Sequence, residues 1–275
     1  MRHGREWQLN QIQAPFFRDS ANPLPHSARH LVAHNRAHPA GAVLPEHRHA
    51  QGQLGIPLTG TMTIVTPTAR WLAPPGRGIW TPPEEPHAGH YGEASAIVQV
   101  LVPPPACAGF PAIGGIIEVS PLLRELALEA TRLAPGDPAE SPLIALMQRE
   151  VARPMAGPAL HVPLGRDPRL AVVMRRLIDE PDCPLGVEAL ATTCGASPRT
   201  LARLFRAETG MSFSRWRDHL RINLAVERLA RGEPVTRIAF DLGYQSAAAF
   251  TTMFGRLTGT PPARMQRALR SAQTP

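Results

Sequence analysis

The 275-residue chain contains no lysine, so all 29 of its basic residues are arginines. A GC-rich genome accounts for that absence, but it does not account for where the arginines lie. Residues 166–275 carry 17 arginines and 10 acidic residues, whereas residues 1–165 carry 12 of each. The formal net charge of +7 therefore belongs to the second part of the chain. This asymmetry favours a neutral half that senses and a basic half that binds a polyanion.

Cysteines and long apolar runs are scarce as well. Cys107, Cys183 and Cys194 are odd in number and lack the spacing of a metal site or a disulfide framework. No apolar run approaches the roughly 18 residues that span a bilayer, and no apolar core follows the first residues as in a signal peptide. We therefore expect no membrane association and a reducing, cytoplasmic location.

The basic half repeats one pattern of apolar residues and glycine, at residues 187–195 and again at residues 235–243. Apolar residues at i, i+3, i+4 and i+7 form the buried stripe of a helix, and the closing glycine supplies a turn. A second helix is predicted after each turn, because Ser197 and Ser246 are good helix caps. The repeat therefore predicts two helix-turn-helix modules, which is typical of a protein that reads DNA.

The second helix of the first module carries Arg199, Arg203 and Arg206 on the face opposite its leucines. Such a stripe is often no more than a solvated face, but its position after a capped turn favours a recognition helix. We expect Arg199 and Arg203 to meet base edges and Arg206 to lie nearer phosphate. Ala248 and Thr252 occupy the corresponding positions of the second module, which suit thymine methyl groups or phosphates. The first module is therefore predicted to supply most of the base discrimination.

The whole predicted DNA interface includes the neighbours of these side chains. It comprises Ser197, Arg199, Thr200, Arg203, Arg206, Ser246, Ala247, Ala248, Thr251, Thr252 and Arg256. Between the modules, residues 212–230 are predicted to form one helix of roughly 27 Å, close to the ~34 Å between successive major-groove faces. Five arginines lie along this helix, and some are expected to reach the DNA backbone: Arg215, Arg217, Arg221, Arg228 and Arg231.

A further set of spaced residues follows the second turn. It consists of Gly243, Tyr244, Ser246, Phe250, Phe254, Gly259 and Pro262, and an earlier run reads Arg203-Leu204-Phe205-x-x-Glu208-Thr209-Gly210. Over about residues 167–267 this half resembles the AraC/XylS-type transcription regulators. The resemblance implies seven helices, with two helix-turn-helix modules joined by a helix. Met265 departs from it, because many members carry an aromatic residue there, and we expect this to affect packing of the last helix rather than DNA contact.

Three histidines stand out in the neutral half. His47 and His49 are two residues apart, so in a strand they would share a face, and an antiparallel strand could bring His87 opposite them. Three imidazoles that converge inside a small β-barrel can bind a divalent transition metal. Gln53 is the predicted fourth ligand, although an amide oxygen binds such a metal more weakly than a carboxylate does.

Nine residues around these histidines have a characteristic spacing: Gly41, His47, His49, Gln53, Gly60, Gly76, Pro82, Glu84 and His87. They resemble the two motifs of the cupin fold over about residues 28–103, which implies a jelly-roll barrel. Gln53 stands where metallocupins carry glutamate, and Glu84 stands where the second motif has glycine. Either the histidines hold a divalent transition metal, or they pack the barrel and no cofactor is required. Trp71 and Trp80 are expected in the barrel core, where one of them could stack on a flat effector.

Together these patterns predict an α+β chain, in which a β jelly-roll barrel precedes an all-α double helix-turn-helix domain. The predicted segments are a poorly ordered tail (1–20), a cupin sensor domain (21–105), a helical connector (106–165) and the DNA-binding domain (166–270). The connector is expected to mediate dimerisation, as the family resemblance implies, or simply to pack on the barrel.

The predicted function is that of an effector-responsive, sequence-specific transcription regulator and not of an enzyme. Its expected partners are promoter DNA on the bacterial nucleoid, RNA polymerase, a small-molecule effector and a second copy of the chain. One alternative is a metal-dependent cupin enzyme with an appended DNA-binding domain, but no clear general acid or base accompanies the histidines. Another is an architectural DNA binder, which would show little preference for sequence.

Overall fold

A computed structural model describes residues 29–155 and 160–271 of the chain. The predicted tail, residues 1–20, lies outside the described residues, as do residues 21–28 and 156–159. By their contacts the described residues form two compact units. The first unit contains residues 29–66, 71–155, 160 and 266–271, and the second contains residues 67–70 and 161–265.

Ten strands form within the described residues. They are β1 (Val32–His38), β2 (Ala42–His47), β3 (Gly52–Thr59), β4 (Met62–Val65), β5 (Ala69–Ala73), β6 (Arg77–Thr81), β7 (His87–Tyr91), β8 (Ser95–Val102), β9 (Gly115–Glu118) and β10 (His161–Pro163), with a 3₁₀ helix (Pro104–Gly109) after β8. They make two five-stranded sheets, in the orders β1-β8-β3-β6-β9 and β10-β5-β4-β7-β2. Every strand pair with a defined register is antiparallel.

The core of the first unit has two layers. Between the sheets lie buried side chains contributed by both: Met62, Ile64, Ala73, Ile79, Tyr91 and Ile97. The other face of the first sheet packs on α1 (Pro121–Ala130) and α2 (Glu140–Val151), through residues such as Leu123 and Met147. The hydroxyl of Ser120 caps α1 by accepting a hydrogen bond from the Leu123 N–H at 3.0 Å. The two helices of the predicted connector therefore pack on the barrel, and their role in dimerisation stays a prediction.

Seven helices follow α2 in the described residues. They are α3 (Pro168–Asp179), α4 (Val187–Thr193), α5 (Pro198–Thr209), α6 (Phe213–Ala230), α7 (Val235–Asp241), α8 (Ala247–Thr258) and α9 (Pro262–Ser271). The predicted fold class is confirmed, and α6 matches the single long helix expected between the modules. None of the helices in the described part of the chain combines the length and hydropathy needed to cross a bilayer.

Aromatic side chains form the centre of each helix-turn-helix module. In the first, Phe205 packs against Phe213 and Trp216, with ring centroids 5.5 and 5.6 Å apart. In the second, Phe250 and Phe254 pack together at 5.5 Å. Because Phe205 on α5 and Phe250 on α8 are fully buried, the opposite faces of these two helices are left for solvent or a partner.

Candidate functional site

The turn of each module is fixed by a glycine and a capping serine. Gly195 and Gly243 have φ angles of 66° and 78°, which a residue with a Cβ adopts only at a cost in free energy. Ser197 Oγ accepts a hydrogen bond from the Thr200 N–H at 3.1 Å, and Ser246 caps α8 in the same way. The start of each second helix is therefore held in place by its own local sequence.

On α5, three arginines point to solvent from one face. Arg199, Arg203 and Arg206 are exposed, and none of them forms an ion pair with a residue in the described part of the chain. The opposite face is buried through Leu201 and Leu204. Unpaired guanidinium groups on a rigid helix can bond guanine or phosphate bidentately, which is what the sequence predicts for this face.

Two arginines of α6 are used inside the second unit. Arg217 donates a hydrogen bond to the Leu185 carbonyl at 3.1 Å, and Arg221 donates one to the Pro181 carbonyl at 3.1 Å. Arg221 is buried, and its guanidinium lies 5.2 Å from the centre of the Tyr244 ring. These bonds tie α6 to the segment between α3 and α4.

An ion-pair network holds the end of α6 to α7. Arg228 lies 2.7 Å from Glu233 and 2.5 Å from Asp241, and Arg231 lies 3.0 Å from Glu233. Of the five arginines predicted along this helix, Arg215 alone is exposed and without an ion pair to a described residue. Most of the basic charge on α6 therefore stabilises the fold, and the candidate DNA surface narrows to α5, α8 and Arg215.

The outer face of α8 has a different chemistry. Ala248, Thr251 and Thr252 are exposed, and Ala247 is half-buried. Arg256 is also exposed and lies 3.8 Å from a carboxylate oxygen of Asp218, a distance at which an exposed pair contributes little. This face offers methyl and hydroxyl groups to a partner, with one cation at its end.

In the first unit, three histidines meet at the end of a strand pair. His47 and His87 are partners in the β2–β7 ladder, just beyond a break in its register. His49 lies after the end of β2, so the expectation that it shares a strand with His47 is wrong, and the loop into β3 positions its ring instead. The ring centroids are 4.4 Å apart for His47 and His87, and 5.2 Å apart for His49 and His87. One ring nitrogen of each histidine lies within 4.8 Å of those of the other two.

Backbone carbonyls fix the protonation pattern of all three rings. Each Nδ1 lies 2.8 Å from a carbonyl oxygen, on Pro45, Gln51 and Glu85 in turn. A carbonyl can only accept a hydrogen bond, so Nδ1 of each ring carries a proton, and Nε2 is the nitrogen left to bind a metal. Burial lowers the pKa of His87 to about 4, against the effect of its bond to Glu85, so this ring is neutral at pH 7.

Two glutamine side chains complete the cluster. Gln99 Nε2 donates a hydrogen bond to Gln53 Oε1 at 2.6 Å, and the same oxygen lies 3.2 Å from Nε2 of His49. With Nδ1 of His49 donating to the Gln51 carbonyl, the oxygen as placed offers that nitrogen only lone pairs, and a cation between the two atoms would be bound by both. His87 Nε2 is buried and has no hydrogen-bond partner in the described residues. Three imidazole nitrogens and one amide oxygen therefore fit a divalent transition metal.

The loops that carry the cluster are joined through Glu84. Its N–H donates a hydrogen bond to the His49 carbonyl at 2.9 Å, directly before the strand that begins at His87. Glu84 has a φ of 60°, and among the described residues it is the one non-glycine with a positive φ. Glycine adopts such an angle most easily, which explains why the second cupin motif has glycine at this position. In this chain Glu84 replaces that glycine and adopts the same left-handed backbone conformation.

A small cavity adjoins the histidines between the two sheets. Its polar lining consists of His47, Gln53, His87, Tyr91 and Gln99. About 10 Å³ is left for the centre of a water molecule, which is room for one water. Burial raises the pKa of Tyr91 to about 12, so the phenol keeps its proton at neutral pH.

The two tryptophans proposed for an effector pocket lie elsewhere. Trp80 is fully buried on the helix-facing side of the first sheet, where it stacks on Phe110 at 4.5 Å. Trp71 is half-buried and packs at the margin of the core between the sheets. Neither side chain lines the cavity beside the histidines.

Known protein families match both halves of the chain. A helix-turn-helix domain matches residues 190–268, and an AraC-like ligand binding domain matches residues 30–149. The HTH-type transcriptional regulator NimR of Escherichia coli (strain K12) is 31% identical over 223 residues, which cover 80% of this chain and 81% of NimR. The chain belongs to the AraC family of transcriptional regulators.

Other proteins match over shorter stretches or at lower identity. The HTH-type transcriptional regulator RipA of Corynebacterium glutamicum is 33% identical over 100 residues, which cover 36% of this chain and 30% of RipA. The crystal structure of ToxT from Vibrio cholerae aligns with a TM-score of 0.38 and 8% identity, over 87% of this chain and 98% of that one. The predicted function, a DNA-binding transcription regulator with a ligand-binding domain, is confirmed at the level of the AraC family.

One member of the histidine cluster is not singled out by any motif of this AraC-family chain. Gln99 orients the amide of Gln53, yet it lies far from both cupin motifs in the sequence. The sequence feature that could have identified Gln99 is that it is the one polar residue in the otherwise apolar stretch from Ala96 to Val102. Gln99 is half-buried, and its amide bonds to the side chain of Gln53, which belongs to the cluster.

Proposed function

We propose that this AraC-family regulator reads its operator mainly through α5. The observation that supports the proposal is the exposed and unpaired set of Arg199, Arg203 and Arg206 on a helix with a fixed start. With α5 in the major groove, Arg199 and Arg203 bond the edges of guanines, and Arg206 bonds a phosphate. Ser197 and Thr200, at the first turn of the helix, lie close enough to this face to contact the backbone.

The second module contributes less to base discrimination in this proposal. Helix α6 has 18 residues, which is about 27 Å of helix, and it separates the two recognition helices by roughly one turn of DNA. Methyl groups of α8 then meet thymine methyl groups, and its hydroxyl groups and Arg256 meet phosphates. The residues involved are Ser246, Ala247, Ala248, Thr251, Thr252 and Arg256.

The ligand-binding half is proposed to control promoter occupancy within a homodimer. An effector bound there changes the affinity for DNA and the contact with RNA polymerase, in the bacterial cytoplasm and on nucleoid DNA. The match to an AraC-like ligand binding domain supports the effector. We propose that the chain is not an enzyme, because NimR, which it matches over four fifths of its length, is named a transcriptional regulator.

Selection from a library of random duplexes, at about 0.15 M salt, tests the DNA-reading proposal. The full-length protein is expected to enrich sequences with a strong guanine-containing element and a weaker second element about one helical turn away. Enrichment without any shared element would replace this proposal with the architectural DNA binder. A single shared element would remove the role given to α8.

A further inference from the structure

The cavity in the first unit is far smaller than the sites that bind organic ligands. Pockets for drug-sized molecules usually have volumes of about 300–1,000 Å³, whereas this one has room for the centre of no more than one water. Its walls are polar where the histidines and Gln53 meet. In this conformation the cavity is therefore too small for an organic effector, whereas the side chains at its edge suit a single ion.

We propose that the regulatory ligand of this domain is a divalent first-row transition metal ion, bound by His47, His49, His87 and Gln53. The inference rests on the proposed function, because it names the effector of the regulator. It also implies that the state with bound metal and the metal-free state differ in their affinity for DNA.

The fixed tautomers are the first argument. Each of the three Nδ1 atoms is bound to a different backbone carbonyl. Hydrogen bonds of this kind orient the rings of metal-binding histidines and leave Nε2 for the metal. The three rings are therefore oriented before a metal binds, with the Nε2 atom of each available as a ligand.

The second argument is that two ligand atoms lack a satisfactory partner. His87 Nε2 is buried with no hydrogen-bond partner in the described residues, and His49 Nε2 faces an oxygen that can only accept. The 3.2 Å between His49 Nε2 and Gln53 Oε1 is close to the ~3.4 Å that separates two ligand atoms of one tetrahedral zinc ion with bonds of about 2.1 Å. One cation would satisfy both atoms.

The donor set also selects the class of ion. Calcium and magnesium prefer sites made of oxygen ligands, and three imidazoles favour zinc, nickel, copper or cobalt. The four residues come from β2, the loop after it, β3 and β7, so they belong to both sheets of the barrel. A bound ion would therefore link the two sheets at this edge, which is a structural change that a ligand-binding domain can use for regulation.

A metal titration of the full-length protein, stripped with a chelator, tests the site. Co²⁺ is the probe, because its visible absorption reports ligand number, and Zn²⁺ is the competitor. His47→Ala and His49→Ala are suitable variants because these side chains are exposed or half-exposed, whereas His87 is buried and its loss could prevent folding. His90→Ala is the control, since alternation along β7 places its side chain on the opposite face from His87.

We expect one Co²⁺ per chain, a metal-dependent rise in Tm, and at least tenfold weaker binding in His47→Ala and His49→Ala, with His90→Ala unchanged. Zn²⁺ is then expected to change the affinity for the selected operator at least fivefold in the wild type, and not in the two variants. Equal Co²⁺ binding by wild type and variants, or none at all, overturns the metal site. Binding with no change in operator affinity overturns the regulatory role.

The operator measurement also separates this inference from the proposed function. A metal-free protein that binds its selected operator tightly and ignores Zn²⁺ leaves the proposed function intact and removes the metal as effector. A protein with no sequence preference, with or without metal, contradicts the proposed function itself, whatever the Co²⁺ titration shows.

Discussion

Arg199 and Arg203 are predicted to discriminate bases individually. Replacement of either by alanine should weaken binding to the selected operator by about 1–3 kcal/mol and relax the base preference at one position. Anisotropy titrations with the operator and with single-base variants measure both effects. Arg124→Ala is the control, because it removes the same charge from an exposed site in the first unit. An equal loss on operator and random DNA would show that these arginines contact phosphate only.

Gln53 gives a second prediction at the level of one side chain. Gln53→Glu should bind Zn²⁺ more than tenfold tighter than the wild type, because a carboxylate is a stronger ligand than an amide and Gln99 can still donate to it. Gln53→Ala should bind more weakly than the wild type. Competition against a chromophoric chelator measures the Zn²⁺ affinities of the wild type and the two variants. Identical affinities in all three proteins would exclude Gln53 as a ligand.

The turns of the two modules have the same shape but different surroundings. A Cβ on Gly243 would lie 3.0 Å from backbone atoms of Asp182 and 2.9 Å from the Arg221 guanidinium, whereas a Cβ on Gly195 would have nothing within 4 Å. Both alanine variants carry the cost of a positive φ, about 1–2 kcal/mol. Gly243→Ala should therefore lower the free energy of unfolding by at least 1 kcal/mol more than Gly195→Ala. Urea denaturation measures the free energy of unfolding of both variants. Equal decreases would mean that the atoms around Gly243 move to accommodate the Cβ at no cost in free energy.

The helical elements were more predictable than the strands, for physical reasons. The period of apolar residues and the caps at Ser197, Ser212 and Ser246 are local signals, and the helices α5, α6 and α8 begin directly after these residues. The pairing of His47 with His87 could be inferred from motif spacing alone. The place of His49 in a loop and the bond from Gln99 depend on strand register and side-chain packing, which a single sequence does not encode locally.

At the scale of the whole molecule, we expect two copies of the chain to contact each other through α1 and α2. Leu122 and Leu146 on these helices are 45% and 40% exposed, and they are the side chains that we expect a second copy of the chain to cover. The double variant Leu122→Glu/Leu146→Glu should weaken the dimer at least tenfold, because it would bury unpaired charges. Sedimentation velocity measures the dissociation constant of the dimer. Ile113→Glu, at a position that is 83% exposed, is the control, and a dimer unaffected by the double variant would place the interface elsewhere.

The outward face of α5 has a consequence for how such regulators diverge. Arg199, Arg203 and Arg206 take no part in the core, the caps or the ion-pair network, so the fold places almost no demand on their identity. A library randomised at these three positions should fold in nearly every member while its members recognise different operators. If α5 reads the operator as proposed, new target genes would be acquired by a few substitutions on one helix, without compensating changes elsewhere in the described residues.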